Sequence, residues 1–400
     1  MSNRIEEYSL AVLTTLFVSS LIIFDLPVNV VYNNILNLAL WALFGIFFIA
    51  NKHYNLVLGK MTLGYISFTI FSLSSVFWAL DFDLAFTNAM SMTVISINFI
   101  VLHALFKRYE LENTVLYGIL LGVAYNYMIA FNLIGVNYEV YEFGRFIGSV
   151  GNPNKLGIIM LFSIFASLVL LSYSNIKFYF KIYNYINILL ASYIIFLTIS
   201  KKAIILAPLL VLASVSIRNF SIKNFFLFVF IAFVSFELLI TYVDFDQLLT
   251  MYELFTERFL GMIDVIYGQS GDDSSNERKQ LVLQGIDVFS NNPVSGIGLG
   301  NFRLLAGKYA HNNYVELLTG VGMVGTALYY SMFLFLFAKI NRMHASSLRK
   351  YFIAMTFILL IMDLAVVSYF NKLTMLILLY MYYVAENTEE HGRSFQKGIR

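Results

Sequence analysis

The sequence predicts an all-α polytopic membrane protein, and three observations support that fold class. Of the 400 residues, 59% are hydrophobic and only 12% are charged, whereas soluble domains carry about 25% charged residues. Several runs of about 20 residues are almost free of charge, which is long enough to cross a hydrocarbon core of about 30 Å. A single long hydrophilic segment interrupts this pattern, at residues 245–311. We therefore expect a helical bundle in lipid with one large outer loop that contains short helices.

About twelve transmembrane helices follow from the hydropathy along the chain. They are predicted at residues 8–24, 33–50, 62–80, 84–106, 114–134, 155–173, 183–200, 202–217, 223–242, 313–338, 350–369 and 372–385. No small-residue cleavage site follows the first apolar run, so the first helix is expected to be retained. The last span is short, and Asn371-Lys372 before it can lie in a bend.

The distribution of Lys and Arg predicts the orientation of these spans. Most of the 26 basic residues fall on one side when the N-terminus is placed inside, and cytoplasmic loops carry an excess of Lys and Arg. Both termini are therefore predicted in the cytoplasm, and the protein is expected in the cell (inner or plasma) membrane. The chain is thus predicted to consist of four regions. They are a transmembrane bundle of about nine spans at 1–242, a large extracytoplasmic loop at 243–312, C-terminal spans at 313–385 and a cytoplasmic tail at 386–400.

Composition excludes several kinds of site. The chain contains no Cys, which rules out disulfides, thiolate nucleophiles and thiolate metal sites. The net charge of +2 gives no indication of nucleic-acid binding. No metal-ligand spacing of His and acidic residues occurs. We expect no cofactor and no resident metal. A divalent cation bound by Asp264, Asp272 or Asp273 is the alternative.

Cations in the short outer loops oppose the orienting bias and therefore need a reason. They are Arg145, Lys155, Lys201, Lys202 and Lys372. Lys372 is expected to extend its ammonium to the lipid interface. Arg145 lies in a loop whose glycines prevent a regular helix, and backbone amides in such loops can bind anions. Lys201 and Lys202 join two spans with no polar spacer, so partial desolvation should favour an anionic partner.

Two helices are predicted in the long loop. An amphipathic pattern at 245–267 indicates a helix on the membrane surface. Residues 274–277 form a capping-box pattern that opens a second helix, and Asn291-Asn292-Pro293 is expected to stop it after about Ser290. Arg278 should lie near its N-terminus on the buried face, where a guanidinium favours an anion. The members of this face are Arg278, Val282, Ile286 and Phe289.

The chain then returns to the membrane at His311. The glycines at 296–300 match a phosphate-binding loop only weakly, and we interpret them as a flexible turn. Of the five His residues, His311 alone is expected at the outer membrane boundary. A neutral imidazole there can take a proton from an attacking hydroxyl, while a helix-capping or interfacial histidine is the plainer alternative. Polar residues expected to support the site are Asn152, Asn154, Asn312, Asn313 and Glu316.

Three acids lie at or within the spans. Glu316 follows His311 and is a candidate to orient its imidazole, with a solvated or Lys-paired acid as the alternative. Glu237 and Asp363 are placed inside predicted spans nine and eleven, where a carboxylate is costly and is a functional hypothesis by default. Without basic partners at mid-membrane, these two acids do not make a proton relay.

The outer face thus combines cations, one candidate base and a lipid-level cavity. That combination suits a lipid-linked pyrophosphate. The cations Arg145, Lys201, Lys202 and Arg278 would stabilise the charge that the pyrophosphate gains as the glycosidic bond breaks. His311 would activate an acceptor hydroxyl for direct displacement at the anomeric carbon. An acid catalyst is not required because pyrophosphate already leaves readily.

Two stretches of the chain resemble a known family. The run ERKQLVLQGIDVFSNNPVSGIGLGNF, followed by AHNNYVELLTGVGMVG, resembles the signature region of the O-antigen ligase and O-antigen polymerase (Wzy-type) superfamily. The earlier outer loop RFIGSVGNPNKL resembles the corresponding loop of that family. The resemblance implies a GT-C-like, inverting, metal-independent membrane glycosyltransferase that uses undecaprenyl-pyrophosphate-linked glycans.

The resemblance also implies roles for single residues. His311 matches the catalytic histidine, and Arg145 and Arg278 match arginines that contact pyrophosphate. The chain departs from the family at Ser200-Lys201-Lys202, where Ser-Arg is frequent. A lysine there lacks bidentate geometry, which leaves open whether Lys201 or Lys202 replaces the arginine.

Polymerase and ligase share these features and differ in the acceptor. We favour a polymerase of capsular, exopolysaccharide or O-antigen repeat units, with an O-antigen ligase-type transfer to a final acceptor as the alternative. A transporter or flippase of lipid-linked sugars is a second alternative, but no internal repeat is visible. A structural assembly partner is the third. The expected partners are the lipid bilayer, the lipid-linked glycan, and a chain-length regulator and flippase of the same pathway.

Overall fold

The computed structural model describes residues 2–50, 58–173, 176–212, 273–344 and 346–391, together with Glu253 and Thr256. The first eight helices are α1 (Ser2–Ile23), α2 (Val30–Ala50), α3 (Lys60–Ser74), α4 (Phe82–Tyr109), α5 (Asn113–Ala130), α6 (Pro153–Leu171), α7 (Phe178–Thr198) and α8 (Lys201–Leu212). The others are α9 (Asp273–Asn291), α10 (Phe302–Ala306), α11 (Asn313–Arg342), α12 (Ser347–Met362) and α13 (Lys372–His391). Short 3-10 turns lie at Pro27–Asn29, Ser75–Trp78 and Gly148–Val150.

The predicted all-α polytopic membrane fold is confirmed. Within the described ranges, eight helices are long and apolar enough to cross a membrane. They are α1 to α7 and α11. The spans of α2 and α3 also include the short 3-10 turns beside these helices. Predicted span eight begins as α8 and continues beyond the described residues. Predicted span nine with Glu237, and almost all of the predicted surface helix at 245–267, lie outside the described residues.

Close helix packing at the N-terminal end depends on small residues. α1 packs along α5, and a Cβ atom added at Gly118 would lie 2.8 Å from the Thr15 carbonyl oxygen. A Cβ added at Gly122 would lie 3.2 Å from the Ser19 carbonyl oxygen. Small residues at these positions let two backbones approach, which is how membrane helices gain packing contacts without a hydrophobic driving force between them.

The predicted outer loop between α5 and α6 contains no α-helix, as its glycines predict. It contains an antiparallel hairpin of β1 (Tyr141–Glu142) and β2 (Arg145–Phe146). In its strand register, Glu142 lies opposite Arg145. Asn152 then caps α6, because its side chain accepts a hydrogen bond from the Lys155 amide at 3.0 Å. Pro153 occupies the first helical turn, where its missing N–H is not needed.

The glycine turn at 296–300 is buried, and it docks on α11 together with residues 293–295. α11 is broken at Gly322, which has φ 62° and ψ −167°. On one side of the break the amides of Ile297 and Gly298 donate to the Thr319 and Gly320 carbonyls at 2.9 and 2.8 Å. On the other side the Met323 amide donates to the Pro293 carbonyl at 2.9 Å. The segment therefore satisfies backbone groups that a broken membrane helix would otherwise leave unpaired.

α12 ends at Met362, earlier than the predicted end of span eleven at residue 369. Asp363 caps the helix, and the chain turns through residues 363–371 before α13 begins at Lys372. Asp363 is therefore placed in a turn beside α11, and its predicted position inside a span is wrong. The physical reason is a set of hydrogen bonds to the Asp363 carboxylate, which the next section describes.

Candidate active site

His311 lies directly before α11, in a backbone conformation that few side chains adopt. Its φ is 53°, in the left-handed region where non-glycine residues are uncommon and cluster at functional sites. The next residue, Asn312, caps α11 by accepting from the amides of Tyr314 and Val315 at 3.0 and 3.1 Å. His311 thus stands at the N-terminal end of a long helix, where the helix dipole favours a negative charge.

The surroundings of His311 keep its imidazole neutral. Burial lowers the pKa of His311 to about 4, and the positive charges of Arg278 and Lys202 add to this effect, while Glu277 opposes it. The imidazole therefore carries a free lone pair at neutral pH and can accept a proton. The Tyr309 ring lies against it, with ring centroids 4.0 Å apart.

Arg278 reaches this site from α9. The helix packs on α11 at Gly285, where an added Cβ would lie 2.2 Å from Val315 Cγ1. Arg278 is half-buried and forms no ion pair with a described residue. Its charge acts on both Lys202 and His311, so these three groups lie within electrostatic range of one another.

The structure describes α9 from Asp273, and the Glu277 carboxylate pairs with Lys308. The side chains of Ser274 and Ser275 lie outside the described part of the structure, so the predicted capping box stays a prediction. The predicted buried face of α9 is shifted, because Ile286 is 52% exposed while Leu281 is buried. Gly285 sets this face because it allows the close approach to α11.

Lys201 and Lys202 open α8 immediately after α7 ends at Thr198. Lys202 is half-buried, and its ammonium donates to the Ala365 carbonyl in the turn that follows α12. Burial and the charge of Arg278 lower the pKa of Lys202 to about 7. An anion bound beside Lys202 would favour its charged form.

Arg145 lies on the other side of the α7–α8 turn. Its Nε donates to the Thr198 carbonyl at 2.8 Å, and its Nη2 donates to Asn154 Oδ1 at 3.1 Å. Both acceptors are neutral. Arg145 and Lys202 therefore flank the same turn, while Asn154 supports Arg145 and Asn152 acts as a helix cap.

Glu316 and Asn313 support the His311 turn through its backbone. The buried Glu316 carboxylate accepts from the Ala310 amide at 2.8 Å, so it holds the backbone of the residue before His311. The Asn313 side chain accepts from the amides of Ser368 and Tyr369 at 2.9 and 3.1 Å. Asn313 thus joins the start of α11 to the turn after α12.

Asp363 completes this buried network, and sequence reasoning missed its role. Its Oδ2 accepts from Asn313 Nδ2 at 3.1 Å and from the Tyr330 hydroxyl at 2.9 Å, and its Oδ1 accepts from the Ser368 hydroxyl at 2.5 Å. Its carbonyl accepts from the Asn313 amide at 2.7 Å. One carboxylate therefore fixes both the turn that carries His311 and the turn that receives Lys202. The sequence feature that could have indicated this role is the position of Asp363, an acid in an otherwise apolar stretch.

The arrangement can bind an anion and accept a proton at one place. Lys202 and Arg278 provide positive charge beside the neutral His311. Among the described residues, no group of three or more His, Asp and Glu side chains is arranged to hold a metal ion.

Comparison with known families identifies this region. Residues 186–330 match the family model described as O-antigen ligase. This part of the chain is similar to the O-antigen ligase family. This match confirms the resemblance to the O-antigen ligase and polymerase superfamily and indicates a glycosyltransferase-like activity in a multi-pass membrane protein. The matched range includes Lys202, Arg278 and His311, whereas Arg145 and Asp363 lie outside it. No curated protein matches the chain.

Proposed function

We propose that this protein polymerises undecaprenyl-pyrophosphate-linked oligosaccharide repeat units into capsular, exopolysaccharide or O-antigen chains at the outer face of the cell membrane. Both termini are then cytoplasmic and the large loop is extracytoplasmic. The observation that carries the proposal is the neutral, half-buried His311 beside two cations, Arg278 and Lys202. A site of this kind suits a reaction in which a hydroxyl loses a proton while a phosphate oxygen gains negative charge.

In the proposed reaction, His311 accepts the proton of the acceptor hydroxyl as its oxygen attacks the anomeric carbon of the donor. The bond from that carbon to the pyrophosphate oxygen breaks, and the electron pair leaves with the pyrophosphate. Arg278 and Lys202 stabilise this charge, with Arg145 and Lys201 as further candidates. Attack opposite the leaving group inverts the anomeric configuration, and no metal is required in this scheme.

A reconstitution experiment tests the proposal. The purified full chain in lipid nanodiscs is supplied with a lipid-pyrophosphate-linked repeat unit, and products are resolved by size. We expect ladder-like elongation that is lost in His311→Ala and Arg278→Ala. His344→Ala is the matched control, because His344 is exposed and lies at the end predicted to be cytoplasmic. Full activity of His311→Ala would exclude the assigned base.

O-antigen ligase-type transfer is the second candidate, because the matched family model is described as O-antigen ligase. A ligase would give no product with repeat units alone and would transfer the glycan once another acceptor is added. A flippase would instead tolerate His311→Ala in a translocation assay. The same set of variants therefore separates the three functions.

A further inference from the structure

The Tyr309 ring lies against the candidate base, and the proposed reaction gives it no role. Its ring centroid is 4.0 Å from that of the His311 imidazole, and the two planes are tilted by 41°. The residue between them, Ala310, is buried in a small core with Leu281, Phe302 and Val315. Tyr309 is instead 48% exposed. It therefore presents an open aromatic surface directly beside the imidazole.

The backbone holds Tyr309 in this place from both sides. Before it, Lys308 pairs with Glu277 in the first turns of α9. After it, the Ala310 amide donates to the Glu316 carboxylate at 2.8 Å. Because both neighbours are held by protein contacts, the ring lies beside the imidazole before any ligand binds. A surface that is formed in advance binds a ligand at a lower entropic cost.

The proposed reaction brings a sugar to this surface. A general base must lie within about 3 Å of the hydroxyl oxygen whose proton it takes, so the sugar that carries this hydroxyl lies next to His311 and its neighbouring ring. One face of a pyranose consists of C–H groups that are partly positive, because their carbons are bonded to oxygen. The face of an aromatic ring is negative, and the two faces attract each other when they stack.

The donor is held in a different way in this scheme. Its pyrophosphate is bound by the charges of Arg278 and Lys202, to which an uncharged ring adds nothing. The acceptor carries no leaving group at its reacting end, so its position depends on contacts to the sugar itself. Tyr309 provides such a contact at the atoms that react.

Tyrosines also occur at membrane interfaces as lipid anchors, and Tyr32 fits that description. It lies in the candidate span Pro27–Ile49, is 55% exposed, and packs its ring on Phe24 with centroids 5.2 Å apart. Tyr309 differs in two respects. It lies outside the candidate spans, between α10 and α11, and the ring that it contacts is the candidate base.

We propose that Tyr309 binds the acceptor sugar by stacking and thereby determines which hydroxyl reaches His311. The inference rests on the proposed function, since it requires a sugar hydroxyl as the acceptor, and it applies to a polymerase and a ligase alike. It assigns to the acceptor a pyranose with an apolar face at its reacting end.

A binding experiment tests this inference without catalysis. The probe is the repeat-unit oligosaccharide released from its lipid by mild acid, which cannot act as a donor because it has lost the pyrophosphate. It is titrated into the full chain in phosphatidylcholine nanodiscs, and Kd is measured by saturation-transfer difference NMR. We expect Tyr309→Leu to raise Kd roughly 3- to 10-fold, because it keeps apolar bulk beside His311 and removes the ring. Tyr309→Phe keeps the ring and should bind as the wild type does. Tyr32→Leu is the matched control and should also leave Kd unchanged.

Elongation of the lipid-linked repeat unit separates sugar binding from orientation of the base. In Tyr309→Leu the KM should rise by a similar factor, and kcat should change less. A lower kcat with unchanged KM and Kd would show that Tyr309 only orients His311, and would overturn the sugar contact.

The remaining outcomes distinguish this inference from the proposed function. Absence of oligosaccharide binding by the wild type, wild-type binding by Tyr309→Leu, or an equal loss in Tyr32→Leu would overturn the sugar contact. Elongation by the wild type in the same preparation would then show that the proposed function stands. Binding that depends on the Tyr309 ring, without elongation or transfer to any added acceptor, would support the sugar contact and contradict the proposed function.

Discussion

The two ends of the helical bundle treat their buried cations differently. At the end predicted to be cytoplasmic, Glu386 of α13 lies 3.6 Å from the Lys107 ammonium and 3.4 Å from the Lys339 ammonium, and it accepts from the Tyr382 hydroxyl at 3.2 Å. At the end predicted to lie outside, Lys202 donates to a carbonyl and Arg278 forms no ion pair with a described residue. In the first set two ammoniums share one carboxylate, which ties α4, α11 and α13 together. The second set has no carboxylate partner among the described residues, and in our proposal an anion from outside takes that place.

This difference separates structural charges from functional ones. A partly buried cation that is paired contributes to folding. A partly buried cation that is unpaired is unfavourable in the free protein and is offset when the ligand binds. The comparison therefore predicts that outer substitutions change activity more than stability, and that cytoplasmic substitutions do the reverse.

The largest expected effect is on catalysis by Arg278→Gln. Removing one group that stabilises developing charge costs roughly 10²–10³ in rate, and Arg278 has no ion-pair partner whose loss would unfold the protein. We expect the activity of the purified variant to fall by that factor while its thermal midpoint is unchanged. Arg278→Lys should retain part of the activity, because charge is kept and bidentate geometry is lost. An equal loss in Lys279→Gln would show that the effect is not specific to the site.

Asp363→Ala should lower both activity and stability. Asp363 lies at the predicted outer end, and its carboxylate accepts three hydrogen bonds. Asn313, Tyr330 and Ser368 would lose a buried acceptor, which costs about 3 kcal/mol in the free energy of unfolding. Displacement of the His311 turn should also lower kcat about 100-fold. Asp363→Asn keeps the size of the side chain and should show a smaller loss of stability. If kcat is unchanged in a folded Asp363 variant, the network does not position His311.

The pH dependence of kcat/KM tests the charges around His311 directly. Because the pKa of His311 is lowered to about 4, the imidazole is neutral above that value and activity should not fall on acidification until the pH approaches it. Arg278 is one cause of the lowered pKa, so Arg278→Gln should move the acidic limb of its residual activity upward, toward the ordinary His value of about 6.5. Lys308→Gln should move it less, since Lys308 has a weaker effect on His311. A limb that does not move in Arg278→Gln would contradict the placement of these groups.

The fold class and the proposed site residues can be predicted from local sequence. Hydropathy alone gives the helices, because lipid requires long apolar runs. His311 and Arg278 stand out because polar residues are few and collect in one outer loop. These inferences need no knowledge of which helices touch.

The parts that sequence reasoning missed depend on contacts between distant segments. The break at Gly322 is stable because residues 293–298 supply its hydrogen bonds, and neither segment indicates this alone. Asp363 was interpreted as an acid inside a span, because its partner Asn313 lies 50 positions earlier in the chain. The buried face of α9 was shifted because a glycine, which contributes no apolar side chain to a periodicity, makes the closest contact.

The smallest expected effect is at the end predicted to be cytoplasmic. Glu386→Gln removes the acid between Lys107 and Lys339, leaving two partly buried ammoniums without it. Because these side chains are partly solvated, we expect a loss of only about 1–2 kcal/mol in stability, seen as a lower thermal midpoint in nanodiscs. The kcat of the folded variant should equal that of the wild type, since Glu386 lies at the opposite end of α13 from Lys372. A large loss of kcat with an unchanged midpoint would reverse the assignment of paired charges to structure and unpaired charges to function.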